Sequence, residues 1–325
     1  MVTLNSIFCS NMIMQANMPV RFFGNGQGNV KITFNGVTKE AVSTDQWLIE
    51  FDSVSYGGPY DILVNLDSSF FTLRNVYFGD VYLLGGQSNM QFKLKESSEP
   101  VESYASVENA RIFTVDRMED GEYFSQRDGW VDLSLENVPN ISAIGYYVAK
   151  GLATSQRKIG LIACYQGASV IQSWLPRDVA LVPEFKIENR FADHEWFPIW
   201  NDDGVLYDNM LSKIIPYSMK GVLWYQGESN ASVDEANIYV EFLKALVYSW
   251  RRDFKNDDMK FVIIQLADHL DRAGYAWEKI QSEQLKAQSV IPNVSTVICR
   301  DVCDNIDIHP KEKDVLSQRI VEVLK

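Results

Sequence analysis

Short runs of alternating hydrophobic and polar residues, separated by turn residues, occupy the first part of the chain. The runs are residues 20–23, 30–34, 47–51, 60–66 and 70–73. Asn35-Gly36 follows the second run, and Asn-Gly between alternating runs is a strong signal for a β-hairpin. No convincing helical pattern interrupts these runs. The pattern therefore predicts a small antiparallel β domain of sandwich type over residues 1–76.

From residue 77 onward, continuous apolar runs alternate with stretches of helical periodicity, which is typical of an α/β sheet. The apolar runs are residues 81–84, 159–165, 222–225, 261–266 and 294–299. The helix candidates are residues 143–155, 235–250 and 277–288. Residues 91–140 are rich in acidic and small side chains and are predicted to form a loop with little regular structure. Residues 77–325 are therefore expected to form a single α/β domain.

The second helix candidate has a clear apolar stripe. Its members recur at helical spacing and are Tyr239, Phe242, Leu246 and Trp250. A stripe of this kind is typical of a helix that packs on a sheet. We therefore expect these four side chains to belong to the core rather than to a binding site.

Three of the predicted strands run directly into small polar clusters. The clusters are Gly85-Gly86-Gln87-Ser88-Asn89, Gln166-Gly167-Ala168-Ser169 and Gln226-Gly227-Glu228-Ser229-Asn230. In a parallel sheet the carboxyl ends of the strands lie along one edge, so the three turns can converge on one pocket. A hydrolase site requires a nucleophile, a backbone N–H donor and a side-chain donor to an oxyanion, which Ser88, Gly167 and Gln226 can supply in turn.

A serine nucleophile requires a base, and the chain contains three histidines. His194 lies in a predicted loop and is expected to be solvated or locally paired, whereas His269 follows a predicted strand and could line the pocket. His309 precedes Pro310, which favours an extended backbone before the first turn of a helix. Side chains two residues apart on an extended segment point to the same side, so Asp307 could orient the imidazole of His309 toward the serine. Asp304 is the alternative acid.

Composition and charge indicate which broad class of protein the chain belongs to and which partners it disfavours. The chain has 325 residues, of which 46% are hydrophobic and 22% charged, as expected for a soluble globular protein. The net charge of -13 argues against a nucleic-acid partner or an anionic membrane surface. No signal peptide or membrane-length apolar run is recognisable, which predicts a cytoplasmic protein, although a mature secreted chain would look the same. The four cysteines lack the spacing of a disulfide framework or a zinc site, and reduced thiols are expected.

Motifs of one known family occur in order along nearly the whole chain. They are Asn11-Met12-Ile13-Met14-Gln15 with Gly57-Gly58-Pro59-Tyr60, Gly86-Gln87-Ser88-Asn89-Met90, Gln166-Gly167-Ala168-Ser169 with Gln172-Ser173-Trp174, Trp224-Tyr225-Gln226-Gly227-Glu228-Ser229-Asn230, and Asp307-Ile308-His309-Pro310-Lys311. In these motifs the chain resembles the sialate O-acetylesterase family, a branch of the SGNH hydrolases. The resemblance implies a three-layer α/β fold of the SGNH (flavodoxin-like) type with a parallel sheet and a small N-terminal antiparallel β domain.

The resemblance also implies a serine esterase that removes acetyl groups from sugar hydroxyls without a cofactor or metal. Ser88 is then the nucleophile, His309 the general base and later the general acid, and Asp307 the residue that orients His309. The expected oxyanion hole consists of the N–H groups of Ser88 and Gly167 together with the side chain of Gln226. The partner is a small acetylated sugar or oligosaccharide, and the oligomeric state stays open.

Two departures from the general SGNH pattern leave residue roles open. That pattern has an asparagine after the glycine of the third block, whereas this chain has Gln226 before Gly227 and Glu228 after it. We expect Gln226 to be the donor because a carboxylate at Glu228 would repel an oxyanion, and we expect Glu228 to buttress the turn. The acid and the histidine lie two residues apart where many SGNH enzymes have three, so Asp304 remains an alternative to Asp307.

Other functions and substrates are also compatible with parts of the sequence. A non-catalytic carbohydrate-binding protein could use exposed aromatic residues such as Trp174 to stack on sugars, but such a protein has no use for a nucleophile and base. A glycosidase would need a pair of carboxylates, for which no pair has positional support. The substrate could be an acetylated sialic acid, whose carboxylate Arg177 could bind. Neutral acetylated sugars, such as those from xylan, are slightly favoured by the acidic net charge.

Overall fold

The computed structural model describes residues 1–118, 125–187, 199–302 and 306–325. The strands are β1 (Thr3–Leu4), β2 (Ile13–Gln15), β3 (Val20–Asn25), β4 (Gly28–Phe34), β5 (Val37–Ser43), β6 (Gln46–Phe51), β7 (Gly57–Leu66), β8 (Ser69–Gly86), β9 (Ala110–Thr114), β10 (Trp130–Asp132), β11 (Ile159–Tyr165), β12 (Gly221–Tyr225), β13 (Lys260–Ile264) and β14 (Val294–Val297). The α-helices are α1 (Ser88–Gln91), α2 (Ala143–Leu152), α3 (Arg177–Ala180), α4 (Val205–Asn209), α5 (Val233–Asn237), α6 (Tyr239–Asp253), α7 (Tyr275–Val290) and α8 (Lys313–Leu324).

The N-terminal strands pair mainly in an antiparallel manner. One sheet has the order β1-β3-β6, and a second set joins β5, β4, β7 and the first half of β8. Aromatic rings connect the two: Phe51 of β6 lies edge-on to Phe34 of β4 with ring centroids 6.0 Å apart, and Phe34 stacks on Phe78 of β8 at 5.6 Å. The alternating pattern arises because one face of each strand is buried against these rings. The short β2 differs, since it pairs in parallel with β8.

A mixed central sheet forms the rest of the fold, in the order β10-β9-β11-β8-β12-β13-β14. Neighbours from β9 to β14 are parallel, and β10 is antiparallel to β9 at one edge. The prediction of an α/β fold is confirmed, but the sheet is not wholly parallel.

The prediction that residues 91–140 form a loop was wrong in part, because β9 and β10 lie there. The five residues of β9 include one consecutive pair of large apolar side chains, Ile112 and Phe113, and both are buried. Such a short run has no readable period. Its strand conformation depends on pairing with β11, which the local sequence does not report.

Strand β8 belongs to both parts of the molecule. Its first half pairs with β7 and β2, and its second half, from Asp80 to Gly86, pairs with β11 and β12. The residues from Phe78 to Gly86 are all buried, as expected for a strand that is covered on both faces. The boundary expected between residues 76 and 77 therefore falls inside one continuous strand, which ends at the nucleophile candidate.

The three predicted helices are confirmed as α2, α6 and α7, with shifted ends. The second candidate is divided, because α5 ends before Ile238 and α6 starts at Tyr239. Ser232 caps α5 by accepting a hydrogen bond from the backbone N–H of Glu235. The apolar stripe of α6 is fully buried, and Trp250 packs edge-on against Trp224 of β12 with ring centroids 5.6 Å apart. The stripe is core, as expected.

Across the described ranges, no helix has both the length and the apolar character needed to cross a membrane. Cys9, Cys164 and Cys299 are free thiols, and Cys164 is buried in β11 as its apolar context predicts. Cys303 lies outside the described residues.

Candidate active site

The turn after β8 presents Ser88 at the first position of α1. Gly86 makes this turn possible: its φ is +123°, and a Cβ atom there would lie 2.1 Å from the carbonyl oxygen of Tyr225. Only glycine combines that backbone conformation with so close an approach. The N–H of Gln87 then donates to the same carbonyl at 2.9 Å, which ties the turn to the end of β12.

His309 reaches the serine from the loop between β14 and α8. Its Nε2 lies 2.8 Å from Oγ of Ser88, which is hydrogen-bond distance for a serine and its base. The ring of Phe92 stacks on the imidazole, with centroids 6.2 Å apart and planes inclined by 24°. Two residues that are 221 positions apart in the sequence, the predicted nucleophile and base, are therefore within hydrogen-bond distance of each other.

The surroundings lower the pKa of His309. Burial is the largest cause, and the positive charge of Lys313 is the second; Asp307 and Glu96 act in the opposite direction. A lowered pKa keeps the imidazole neutral at neutral pH, and a neutral imidazole can accept the proton of Ser88.

Asp307 contacts His309 mainly through the backbone. Its Oδ1 accepts a hydrogen bond from the backbone N–H of His309 at 2.9 Å, whereas Nδ1 of the ring is 3.9 Å from the same oxygen. The second distance is too long for a hydrogen bond, so the carboxylate acts on the ring through charge. The alternative acid, Asp304, lies outside the described residues.

The two backbone N–H groups expected to form the oxyanion hole differ in their hydrogen bonding. For the N–H of Ser88, no acceptor is found among the residues that the structure describes. The N–H of Gly167 donates to Oε1 of Gln91 at 2.8 Å. The Gln91 side chain thus covers one of the two predicted oxyanion donors, and no feature of the sequence predicts this contact.

Gln226 does not have the position expected of an oxyanion donor. Its side chain is fully buried, and Nε2 donates to the carbonyl oxygen of Ser169 at 3.0 Å and to Oδ1 of Asn230 at 2.7 Å. Its Oε1 accepts from the hydroxyl of Tyr239 at 2.7 Å. An amide nitrogen has two hydrogens, and both are used inside the protein. Gln226 instead connects the second and third turns to α6.

A buried polar cluster, which the sequence analysis did not predict, lies beside Ser88. Nδ2 of Asn89 donates to Oε1 of Glu228 at 2.6 Å and to the carbonyl oxygen of Ile308 at 2.9 Å. Lys313 donates to Oδ1 of Asn89 at 2.6 Å. Burial raises the pKa of Glu228, while the hydrogen bond from Asn89 and the charge of Lys313 lower it. This contact agrees with the supporting role expected for Glu228.

A model of the family described as carbohydrate esterase, sialic acid-specific acetylesterase, matches residues 78–320. The chain belongs to this family. The match begins within β8 and ends within α8, so it includes the turn that carries Ser88, the third turn and the loop that carries His309.

Individual members of the carbohydrate esterases are similar to the chain over most of its length. The sialate O-acetylesterase of Rattus norvegicus is 27% identical, covering 87% of this chain and 64% of the relative. That of Homo sapiens is 26% identical, covering 87% and 61%. The chain thus spans less than two thirds of the length of these relatives. A solved carbohydrate acetylesterase from Xanthomonas citri has a TM-score of 0.85 at 25% identity, covering 99% of this chain and 74% of that one.

Trp174, the predicted sugar-stacking residue of this esterase family member, is fully buried. Its indole N–H donates to Oγ of Ser169 at 3.0 Å. The expectation of an exposed Trp174 that stacks on sugars was therefore wrong, because the indole fills the space under the second turn. Arg177 pairs with Asp208 at 2.6 Å on the surface.

The structure describes one of the other two histidines, His269, but not His194. His269 follows β13 and lines a cavity of about 200 Å³ together with Asp268, Trp277 and Arg300. Asp268 and Arg300 form an ion pair at 2.7 Å in this cavity. His269 also lowers the pKa of His309, and its place in the active-site pocket stays a prediction. His194 lies outside the described residues.

Proposed function

We propose that this chain is a serine esterase that hydrolyses O-acetyl esters on sugars. Membership of the carbohydrate esterase family gives the reaction class, and the 2.8 Å contact between His309 and Ser88 is the observation that carries the mechanism. In the first half of the reaction Oγ of Ser88 attacks the acetyl carbonyl carbon while Nε2 of His309 takes its proton. The ester bond then breaks, and the same proton passes from His309 to the leaving sugar oxygen.

The second half of the reaction repeats these steps with water. His309 removes a proton from a water molecule, which attacks the acetyl group on Ser88, and the acyl bond to Oγ breaks. His309 passes this proton to Oγ, and the product leaves as acetic acid, which releases its own proton to the solvent to give acetate. Each proton that His309 accepts is given back within the same half-reaction, so the imidazole starts each half-reaction neutral.

The oxyanion is stabilised by the backbone N–H groups of Ser88 and Gly167. Both belong to turns at the carboxyl ends of neighbouring strands, β8 and β11. The Gln91 side chain moves away from Gly167 when the acetyl carbonyl oxygen takes its place. Gln226 supports this site indirectly, because it holds the carbonyl of Ser169 in the second turn.

The acidic partner of His309 is Asp307 or Asp304. Asp307 is within 3.9 Å of the ring and is the first candidate. A rotation of its side chain would convert the present charge contact into a hydrogen bond to Nδ1. Such a hydrogen bond would fix the tautomer in which Nε2 accepts the proton from Ser88.

The fold we assign to this activity is the three-layer SGNH hydrolase arrangement, in which residues 77–325 form the catalytic domain. Residues 1–76 form a small N-terminal β domain that shares β8 with the catalytic sheet. The carboxyl-end location of Ser88, Gly167 and His309 supports this assignment. The proposed substrates are small acetylated sugars or oligosaccharides of the sialate or xylan type.

The proposal is tested by acetate release from 4-nitrophenyl acetate, acetylated xylo-oligosaccharides and 9-O-acetyl sialic acid. Ser88→Ala should abolish hydrolysis of all three, whereas Ser289→Ala, which changes an exposed serine at the end of α7, should not. A serine-reactive phosphonate should label the wild type and Ser289→Ala but not Ser88→Ala. Wild-type activity in Ser88→Ala would refute the nucleophile assignment. The preferred sugar ester identifies the substrate class.

A further inference from the structure

Lys313 is buried at a helix N-terminus, a position that is unfavourable for a positive charge. It is the first residue of α8 and is only 1% exposed. A positive charge is disfavoured at a helix N-terminus and is costly to bury. Its ammonium group lies 5.0 Å from the ring centroid of Phe92 and 5.1 Å from that of Tyr225. These rings, together with the contact to Asn89, lower the cost of burying the charge.

Lys313 fixes the orientation of the Asn89 amide. A lysine ammonium can only donate, so the atom of Asn89 that faces it at 2.6 Å must be the oxygen. The amide nitrogen then faces the carboxylate of Glu228, which can accept a hydrogen bond. Charges on both sides of Asn89 therefore select one orientation of its side chain.

The second hydrogen of this amide reaches the loop of the base. It is donated to the carbonyl oxygen of Ile308, the residue before His309, at 2.9 Å. Asn89 itself directly follows Ser88. The hydrogen bond from Asn89 to Ile308 thus runs beside the contact from Ser88 to His309 and joins the same two segments.

We propose that Lys313 and Asn89 are positioning residues of the esterase site, which lock the loop that carries His309 onto the turn that carries Ser88. The Lys313–Asn89–Glu228 set, called here the clamp, comes from α8, α1 and the turn after β12. This inference rests on the proposed esterase function, because it concerns the same nucleophile and base.

Lys313, one member of the clamp, also acts on the pKa of His309 through its positive charge. The titratable groups that act on the imidazole are Lys313 in α8, Asp307 in its own loop, Glu96 in the turn after α1, and His269 after β13. Lys313 opposes protonation of His309, and Asp307 and Glu96 favour it. Removal of the lysine charge should therefore raise the pKa of His309. The active form is the neutral imidazole, so the acid limb of the rate profile should move to higher pH.

The first test is Lys313→Met, with Lys286→Met as the control for loss of an exposed lysine on α7. We expect kcat of Lys313→Met on 4-nitrophenyl acetate to fall by about 10- to 100-fold, because a misplacement of about 1 Å can cost on the order of 100-fold. KM should change little, and the acid limb of kcat/KM should move upward. A folded Lys313→Met whose acid limb coincides with that of the wild type would overturn the role of the charge.

Two further variants keep the test decisive if Lys313→Met does not fold. The double variant Lys313→Met/Glu228→Gln removes both buried charges together and should fold better, while it still shifts the acid limb upward. Asn89→Ala leaves both charges in place but removes the bond to Ile308, so kcat should fall while the acid limb stays near its wild-type pH. Wild-type kcat in Asn89→Ala would overturn the clamp.

The outcomes for the clamp and for the esterase mechanism can be distinguished. If Ser88→Ala is inactive but the clamp variants match the wild type, only the positioning role is refuted. If Ser88→Ala is fully active, the esterase mechanism itself is refuted.

Discussion

The backbone N–H of Gly167 donates to Oε1 of Gln91 at 2.8 Å, so a side chain occupies one of the two proposed oxyanion donors. Gln91 is the last residue of α1, three positions after Ser88, and it is partly exposed. Its amide can therefore leave the donor without disturbing the core. The contact makes Gln91 a competitor of the substrate carbonyl for the same hydrogen.

Two substitutions of Gln91 should have opposite consequences. Gln91→Ala frees the N–H of Gly167 and should retain activity on 4-nitrophenyl acetate. Gln91→Glu places a carboxylate on the same donor, where it holds the N–H and repels the oxyanion. Loss of one oxyanion donor costs roughly 100- to 1000-fold in kcat, and we expect a fall of that order for Gln91→Glu. Equal activity of the two variants in steady-state kinetics would contradict Gly167 as a donor.

Gln226→Ala should affect stability as well as rate. The carbonyl of Ser169 loses the hydrogen bond from the Gln226 side chain. Oδ1 of Asn230 keeps the N–H of Ile171, and the hydroxyl of Tyr239 keeps the backbone carbonyl of residue 226. A buried polar group left without a partner costs about 1–3 kcal/mol. We expect the free energy of unfolding in urea to fall by about this amount, with a corresponding decrease in Tm. Loss of activity with unchanged stability would instead indicate that Gln226 is a direct oxyanion donor.

The pH dependence follows from the lowered pKa of His309. Burial and the charge of Lys313 place this pKa below the usual histidine value of about 6.5. Because the neutral imidazole is the base in the proposed mechanism, kcat/KM should be at its plateau above this pKa and should be lost as the pH falls through it. A pH series with 4-nitrophenyl acetate measures the limb. An acid limb centred above neutrality would contradict the assignment.

Asp80 offers a test of how the molecule is held together away from the active site. It is fully buried and accepts hydrogen bonds from Arg157 at 2.6 Å, from Lys220 at 2.8 Å and from Tyr56 at 2.8 Å. Burial alone would raise its pKa, but these partners hold the pKa below the usual range. Its contribution to stability is present above the unfolded-state pKa of about 3.9 and is lost as the pH falls through the lower folded-state value.

Asp80→Asn should therefore destabilise the protein strongly at neutral pH. Removing one partner of a buried ion pair costs about 3–5 kcal/mol, and we expect the lower end because Lys220 is partly exposed. Asp132→Asn removes a surface carboxylate that pairs with Arg111 and serves as the matched control, with an expected cost under about 1 kcal/mol. Similar unfolding free energies for the two variants in urea would show that the Asp80 cluster contributes little.

Arg177 should not determine the preference for a sialic acid substrate. Its guanidinium pairs with Asp208 and is largely exposed. Arg177→Ala should lower activity on 9-O-acetyl sialic acid and on acetylated xylo-oligosaccharides by the same small factor, if at all. A selective loss on the sialic acid ester, seen as a rise in KM, would make Arg177 the carboxylate-binding residue.

Local sequence determined the elements that carry the site. The apolar run that ends in Gly85-Gly86 identified the central strand and the serine after it, and proline after His309 identified the loop of the base. These features are readable because burial on both faces requires continuous apolar residues, and because glycine and proline restrict the backbone directly. The helices were found for a similar reason, since α6 repeats its buried side chains at helical spacing.

Only the tertiary structure decided which polar groups meet. The same kind of side-chain amide occurs in Gln226, Gln91 and Asn89. Nothing in the sequence shows that the amide of Gln226 belongs to a buried hydrogen-bond network while that of Gln91 accepts from the N–H of Gly167. Lys313 reads as an ordinary charged residue at a helix start, yet it is buried against Asn89 from a position 224 residues away. Contacts of this kind depend on where distant segments are brought together, and hydrogen-bond partners over such separations leave no periodic pattern in the chain.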